Sequence, residues 1–128
     1  MITVEEIWFK GKDERGLTGE IDVFDRSGRF ILAYRKAGSV SGNHYHTGIS
    51  PQKNPEYLFL LQGKVEIEYA EVKDGVLSQI YSVITVAPCK VTVQANCWHR
   101  MFFIEDSHFL ELNSFEQGDS DTIKLTKE

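Results

Sequence analysis

The sequence predicts an all-β domain, a barrel or sandwich of short antiparallel strands. Apolar and polar residues alternate over short runs, turn residues separate these runs at close intervals, and no long amphipathic helix is visible. At 128 residues the chain suits one domain around one core, residues 1–128, and 41% apolar with 26% charged residues is an ordinary globular balance. No internal repeat, low-complexity tract or linker divides it.

In chain order, Glu20–Phe24 and Arg29–Arg35 read as strands on either side of the turn Arg26-Ser27-Gly28. Thr47–Pro55 (TGISPQKNP) breaks the rhythm, because Ser50-Pro51 and Asn54-Pro55 cannot continue a central strand. It is predicted as a surface loop, mobile without ligand, joining His46 to Glu56. Glu56–Gln62 follows as a strand. In Lys64-Val65-Glu66-Ile67-Glu68-Tyr69, Val65, Ile67 and Tyr69 share one face and the charges the other. Asp74-Gly75 is the next hairpin turn, since glycine tolerates positive φ. Gln79–Val86, Val91–Gln94, His99–Ile104 and His108–Phe115 complete the strands, with Glu105-Asp106-Ser107 turning the last pair.

Nineteen acidic against 14 basic side chains give a net charge of −5, which argues against a nucleic-acid partner. No apolar run is long enough to cross a membrane, and Met1 to Phe9 lacks the basic start and apolar core of a signal peptide. Cys89 and Cys97 have no CxxC spacing and read as reduced thiols, so a cytoplasmic location is expected. A homodimer is expected, because an exposed-edge β-domain gains by pairing or covering its edges.

Three of the four histidines fall in two short segments, His44-Tyr45-His46 and Trp98-His99. Positions i and i+2 of a strand face the same way, so His44 and His46 can converge on one point. Imidazole suits several divalent metals, and Glu56, opening the strand after the loop, is the natural carboxylate beside it. The predicted ligands are His44, His46, Glu56 and His99, for zinc, iron, manganese or nickel. The alternative is a metal-free site in which His44 or His46 acts as base. His108 has no partner spacing and reads as structural or as surface.

The segments GSVSGNHYH from Gly38 and EYLFLLQG from Glu56 resemble the first cupin motif: Gly, five residues, His-x-His, a short gap, Glu, six residues, Gly. Gly38, His44, His46, Glu56 and Gly63 fit it, with a gap of nine residues where the family has about three or four. Of the second motif His99 is kept; Pro88, Gln94, Asn96 and Phe103 replace the first Gly, the Pro, the second Gly and the Asn. Asn96 preserves the turn, as the non-glycine residue most tolerant of the left-handed conformation. The resemblance spans roughly Gly38 to Phe115 and implies a cupin-type double-stranded β-helix, or jelly-roll, barrel.

NHYH followed by EYLFLLQGKVEIEY also resembles the sugar-nucleotide cupins of polysaccharide biosynthesis, both capsular-sugar epimerase-reductases and the keto-sugar isomerases of dTDP-hexose pathways. Those isomerases keep a Trp-His pair where this chain has Trp98-His99. The implied activity is proton transfer beside a sugar ketone, with His44, His46 and His99 as catalytic candidates. Such a site needs an enolate stabiliser and a base, for which Tyr45, Tyr57 and Glu111 are candidates. Trp98, Phe102 and Tyr34 could stack on a base or sugar, although a core role is favoured for each, and Arg35 and Arg100 either contact a phosphate or are solvated strand charges. Two other readings stay open: a metal-dependent dioxygenase of a small organic acid, and a cupin that binds a small ligand without turnover.

Overall fold

Strand pairing follows the alternation. This computed structural model describes residues 1–128 except Trp8, Phe24, Asp25, Ser27, residues 114–120 and Glu128. In chain order the strands are β1 Ile2–Glu6, β2 Phe9–Asp13, β3 Gly16–Gly19, β4 Arg29–Arg35, β5 Val40–His46 and β6 Glu56–Gln62. They continue as β7 Lys64–Lys73, β8 Val76–Leu77, β9 Tyr81–Val86, β10 Cys89–Val93, β11 Cys97–Phe103, β12 Ser107–Asn113 and β13 Thr122–Lys124. Among the described residues there is no α-helix, and none long and apolar enough to cross a membrane.

One sheet has the order β1-β10-β6-β12-β4; the other runs β13-β5-β11-β7, with β8 and β9 both on β7. Their inner faces enclose the core of the predicted jelly-roll barrel, where Leu58, Leu60, Val65, Ile67, Met101, Phe103 and Phe109 are buried. Phe103 and Phe109 stack with centroids 5.8 Å apart. Burying each such side chain contributes about 1.5–3 kcal/mol, which offsets the polar groups packed above them. Gly63 makes the tight turn from β6 to β7 at φ +105°, where a Cβ would fall 2.1 Å from Ser107 Oγ. Asp74 and Gly75 both adopt positive φ in the turn from β7 to β8, and Asn96 does so at φ 59° before β11.

β4 and β6 have the predicted bounds, while residues 20–23 pair with no strand. The first sheet keeps two open edges, β1 and β4, and this segment pairs with neither. Phe24, Ser27, Ser114 and Phe115 of the predicted segments lie outside the described residues. The sequence reading placed no strand at β1, which pairs with β10 from Ile2↔Val93 to Glu6↔Cys89. Cys89 and Cys97 are buried and free, and burial pushes the Cys97 thiol up to about 11.

Trp98 is no stacking platform. It faces outward from β11, fully buried, and its indole Nε1 donates to the Leu125 carbonyl at 2.5 Å. Phe102 and Arg100 lie on that same outer face by alternation, and Arg100 donates to Glu68 at 2.8 Å. Arg35 donates to Ser41 Oγ at 2.7 Å and to the Tyr34 carbonyl. Tyr34, 63% exposed on β4, meets His108 edge-on, which gives His108 its structural role.

Candidate metal centre

A bulge aims the first histidine. In the pairing of β11 with β5, His99 is opposite His44 but Arg100 is opposite Gly42, so Asn43 is the extra residue, at φ 60°. Gly42 is required beside it, since a Cβ there would fall 2.7 Å from the His99 carbonyl oxygen. Past the bulge, His44 and His46 point to the inner face together with His99. Ring centroids are 4.9 Å apart for His44–His46, 4.8 Å for His44–His99 and 5.8 Å for His46–His99. The three ligating nitrogens lie within 4.8 Å of one another.

Glu56 comes from the facing sheet and is 1% exposed. Its Oε2 is 3.3 Å from His46 Nε2, and its Oε1 is 3.4 Å from His99 Nε2. The structure thus brings all four predicted ligands together.

The tautomers explain what this arrangement lacks. His46 Nδ1 is 3.1 Å from the Asp121 carbonyl, and His99 Nδ1 is 3.2 Å from the Cys97 carbonyl. A carbonyl oxygen only accepts, so each Nδ1 carries a proton and a neutral ring turns its Nε2 lone pair toward Glu56. His46 Nε2 and Glu56 Oε1 are buried with no hydrogen-bond partner among the described residues. Lone pairs facing a carboxylate in a dry site call for a positive charge between them, either a proton or a metal ion. Metal bonds of about 2.0–2.1 Å in tetrahedral array separate donor atoms by about 3.3–3.4 Å, close to the contacts found here. Carbonyl acceptors behind the ligating imidazoles are also the usual support of a metal site. The donor set fits a divalent ion.

The site's field follows from burial and charge. Burial, with repulsion from His99 and His46, lowers the His44 pKa to about 3. Burial also holds His99 below the ordinary histidine value. For His46 burial acts downward, but contact with Glu56 outweighs it and the net shift is upward. Glu56 is held ionised, well below the usual carboxylate range, by His46, His99 and Lys53 against the cost of its own burial.

The loop departs from expectation. Thr47–Pro55 is a folded arm, with Ser50, Gln52 and Lys53 buried. Asp121 holds its base: Oδ1 accepts from Thr47 N at 2.8 Å and Thr47 Oγ1 at 2.5 Å, Oδ2 from Gly48 N and Ser50 N at 3.0 Å each. Arg26 donates to the Asn54 and Pro55 carbonyls at its far end. These contacts tie down both ends of the arm, while Ile49 at its tip is 82% exposed. Lys53, which the sequence reading passed over, places its Nζ 2.8 Å from Glu56 Oε2 and 3.0 Å from Glu111 Oε2. Its one sequence signal is a position three residues before Glu56, and in a Pro-flanked loop that reads as a solvated charge.

Of the three candidate bases, only Glu111 reaches this cluster. Tyr45 alternates with His44 and His46 and faces away. Tyr57 alternates with Glu56, and its ring lies outside the barrel between Arg26 and Lys90 at 4.4 and 4.1 Å. Glu111 is raised above the ordinary carboxylate value by burial and by the Glu56 charge. One row crosses the inner face at this level: Lys124, His44, His99, Tyr69 and Tyr81 are successive cross-strand partners. Tyr69 and Tyr81 stack at 5.8 Å, and Tyr81 is 44% exposed.

No family model matches the sequence, and no curated protein matches it. Solved structures do. A 3,4-ketoisomerase from Helicobacter canadensis superposes with a TM-score of 0.73 at 21% identity, over 96% of this chain and 90% of that one. A sugar 3,4-ketoisomerase from Thermoanaerobacterium thermosaccharolyticum in complex with TDP gives 0.72 at 18%, over 96% and 87%. A dTDP-6-deoxy-D-glucose-3,5-epimerase from Legionella pneumophila, in complex with dTDP-4-keto-L-rhamnose, gives 0.72 at 16%, over 96% and 71%. At these identities the likeness is one of fold, and the fold is the cupin barrel.

Proposed function

We propose that this chain is an isomerase or epimerase of a nucleotide-linked keto sugar, with a divalent metal ion held by His44, His46, Glu56 and His99. The observation that carries the metal reading is the convergence of His46 Nε2 and His99 Nε2 on the buried Glu56 carboxylate at 3.3 and 3.4 Å, with His46 Nε2 and Glu56 Oε1 lacking a hydrogen-bond partner among the described residues. The substrate class is supported by the fold's neighbours, which are ketoisomerases and an epimerase, two of them bound to TDP or a dTDP sugar.

A bound divalent ion supplies Lewis-acid polarisation of the sugar ketone. Glu111 is the base: it joins the cluster through Lys53, and burial and the Glu56 charge raise its pKa, which makes it the stronger proton acceptor of the two carboxylates. It takes the proton from the carbon beside the ketone, breaking C–H and forming O–H, while the electron pair moves to the ketone oxygen. Protonation of the former ketone carbon, with the hydroxyl proton of the first carbon passing to the former ketone oxygen, migrates the ketone. Protonation of the first carbon by a donor on its opposite face inverts it, with the electron pair returning from the oxygen to re-form the carbonyl. His44 is the least buried of the three histidines and borders the open side. Along its row, the exposed Lys124 suits the diphosphate and the Tyr69–Tyr81 stack suits the nucleobase.

In deuterated water, with metal supplied, a nucleotide-linked 4-keto-6-deoxy sugar should gain label at a ring carbon. No label above background across several nucleotide sugars would sink the isomerase reading and favour oxygenase or plain binding chemistry.

A homodimer belongs to the same proposal. β4 is the edge of its sheet and exposes Phe30 by 53%, Leu32 by 58% and Tyr34 by 63% on one face. Leu32→Glu should halve the mass seen by light scattering, and an unchanged mass would put the interface elsewhere. The buried free thiols suit a reducing compartment, and we place the chain in the cytoplasm.

A further inference from the structure

Lys53 occupies the centre in a way that neither the fold nor the ligand set requires. It is 3% exposed, and its ammonium bridges a proposed metal ligand, Glu56, and the proposed base, Glu111. Its place depends on the long gap between His46 and Glu56. Ser50-Pro51-Gln52-Lys53 forms a turn closed by Lys53 N donating to the Ser50 carbonyl at 3.0 Å, and a bridge pairs Lys53 with Glu56. A gap of about three or four residues would have no room for this turn. The same Glu56 Oε2 that takes the ammonium at 2.8 Å lies 3.3 Å from His46 Nε2, on the ligand side of the carboxylate.

We propose that Lys53 is a resident cation that competes with the metal ion for Glu56 and keeps this centre to weak, exchangeable metal binding. The inference rests on the metal reading above. Two effects follow from one charge. The ammonium draws electron density from the carboxylate, and it repels a divalent ion across a site with little water to screen it. A hydrogen-bonding role that merely orients Glu56 would act in the opposite direction, because losing an orienting partner weakens metal affinity. Charge and orientation therefore predict opposite signs.

The test is metal affinity, read without any substrate. Full-length parent, Lys53→Gln and Lys53→Met are titrated with zinc or manganese against a chromophoric chelator, and folding is checked by circular dichroism. Gln keeps an N–H donor for Glu56 and removes the charge; Met removes both. Both variants are expected to bind at least tenfold more tightly than the parent. Gln, close to lysine in length and still able to bond the carboxylate, keeps the test alive if Met does not fold. Unchanged or weaker binding by Lys53→Gln overturns the competition while leaving the metal centre standing. Absence of metal binding in the parent and in both variants overturns the metal reading and this inference together.

Discussion

A His44→Ala/His46→Ala double variant should lose divalent metal affinity by more than about a hundredfold while the β-barrel persists. Both side chains lie above the apolar core, so their loss empties the centre without opening the barrel floor. The pH dependence of the parent adds a sharper signature. His46 is the one ligand whose pKa is raised, and His44, His99 and Glu56 are all lowered. In the metal-free fold His46 therefore binds a proton that the metal must displace. Affinity should be flat above the His46 pKa and fall by about tenfold per pH unit below it, a slope of one proton. A slope of two or three protons would mean that several ligands titrate together and that the field described here is wrong. Retention of metal by the double variant would move the site elsewhere.

Glu111→Gln should slow deuterium wash-in by about 10²- to 10⁴-fold, the usual contribution of a positioned general base. The amide oxygen can still accept from Lys53, so the fold should stay near parental, while zinc affinity should fall somewhat because the Lys53 charge is then balanced by Glu56 alone. An exchange rate equal to the parent's would remove Glu111 from the mechanism. That result would favour the metal-free alternative, in which His44 or His46 is the base.

The barrel was legible because alternation is a local signal. Val65, Ile67 and Tyr69 share the inner face as read, and β4 and β6 have the bounds that their turns imply. The clustering of His44, His46, His99 and Glu56 was legible for a related reason: His-x-His fixes two side chains on one face whatever the rest of the fold does. Partnership between strands was not legible. Residues 20–23 alternate as well as many strands do, yet they pair with neither open edge of the first sheet, β1 or β4, and alternation alone does not say which edge a segment takes. Lys53 and Asp121 were missed because their roles depend on burial, and a charged residue in a polar segment gives no sign of it. Trp98 is fully buried, in keeping with the core role favoured for it, although alternation with His99 turns it outward to the Leu125 carbonyl.

Asp121 bears on the order in which the centre can be assembled. Its carboxylate bonds to a segment 71 to 74 positions earlier, and its carbonyl fixes the His46 ring from 75 positions away. A chain made from its N-terminus has all four ligand residues well before Asp121 exists. Until then the arm has no anchor at its base, and nothing selects the His46 tautomer whose lone pair faces Glu56. A nascent chain that stops short of residue 121 thus carries the right donors in an unsupported arrangement. On the proposed metal reading, loading waits until β13 has docked beside β5 and Asp121 is in place.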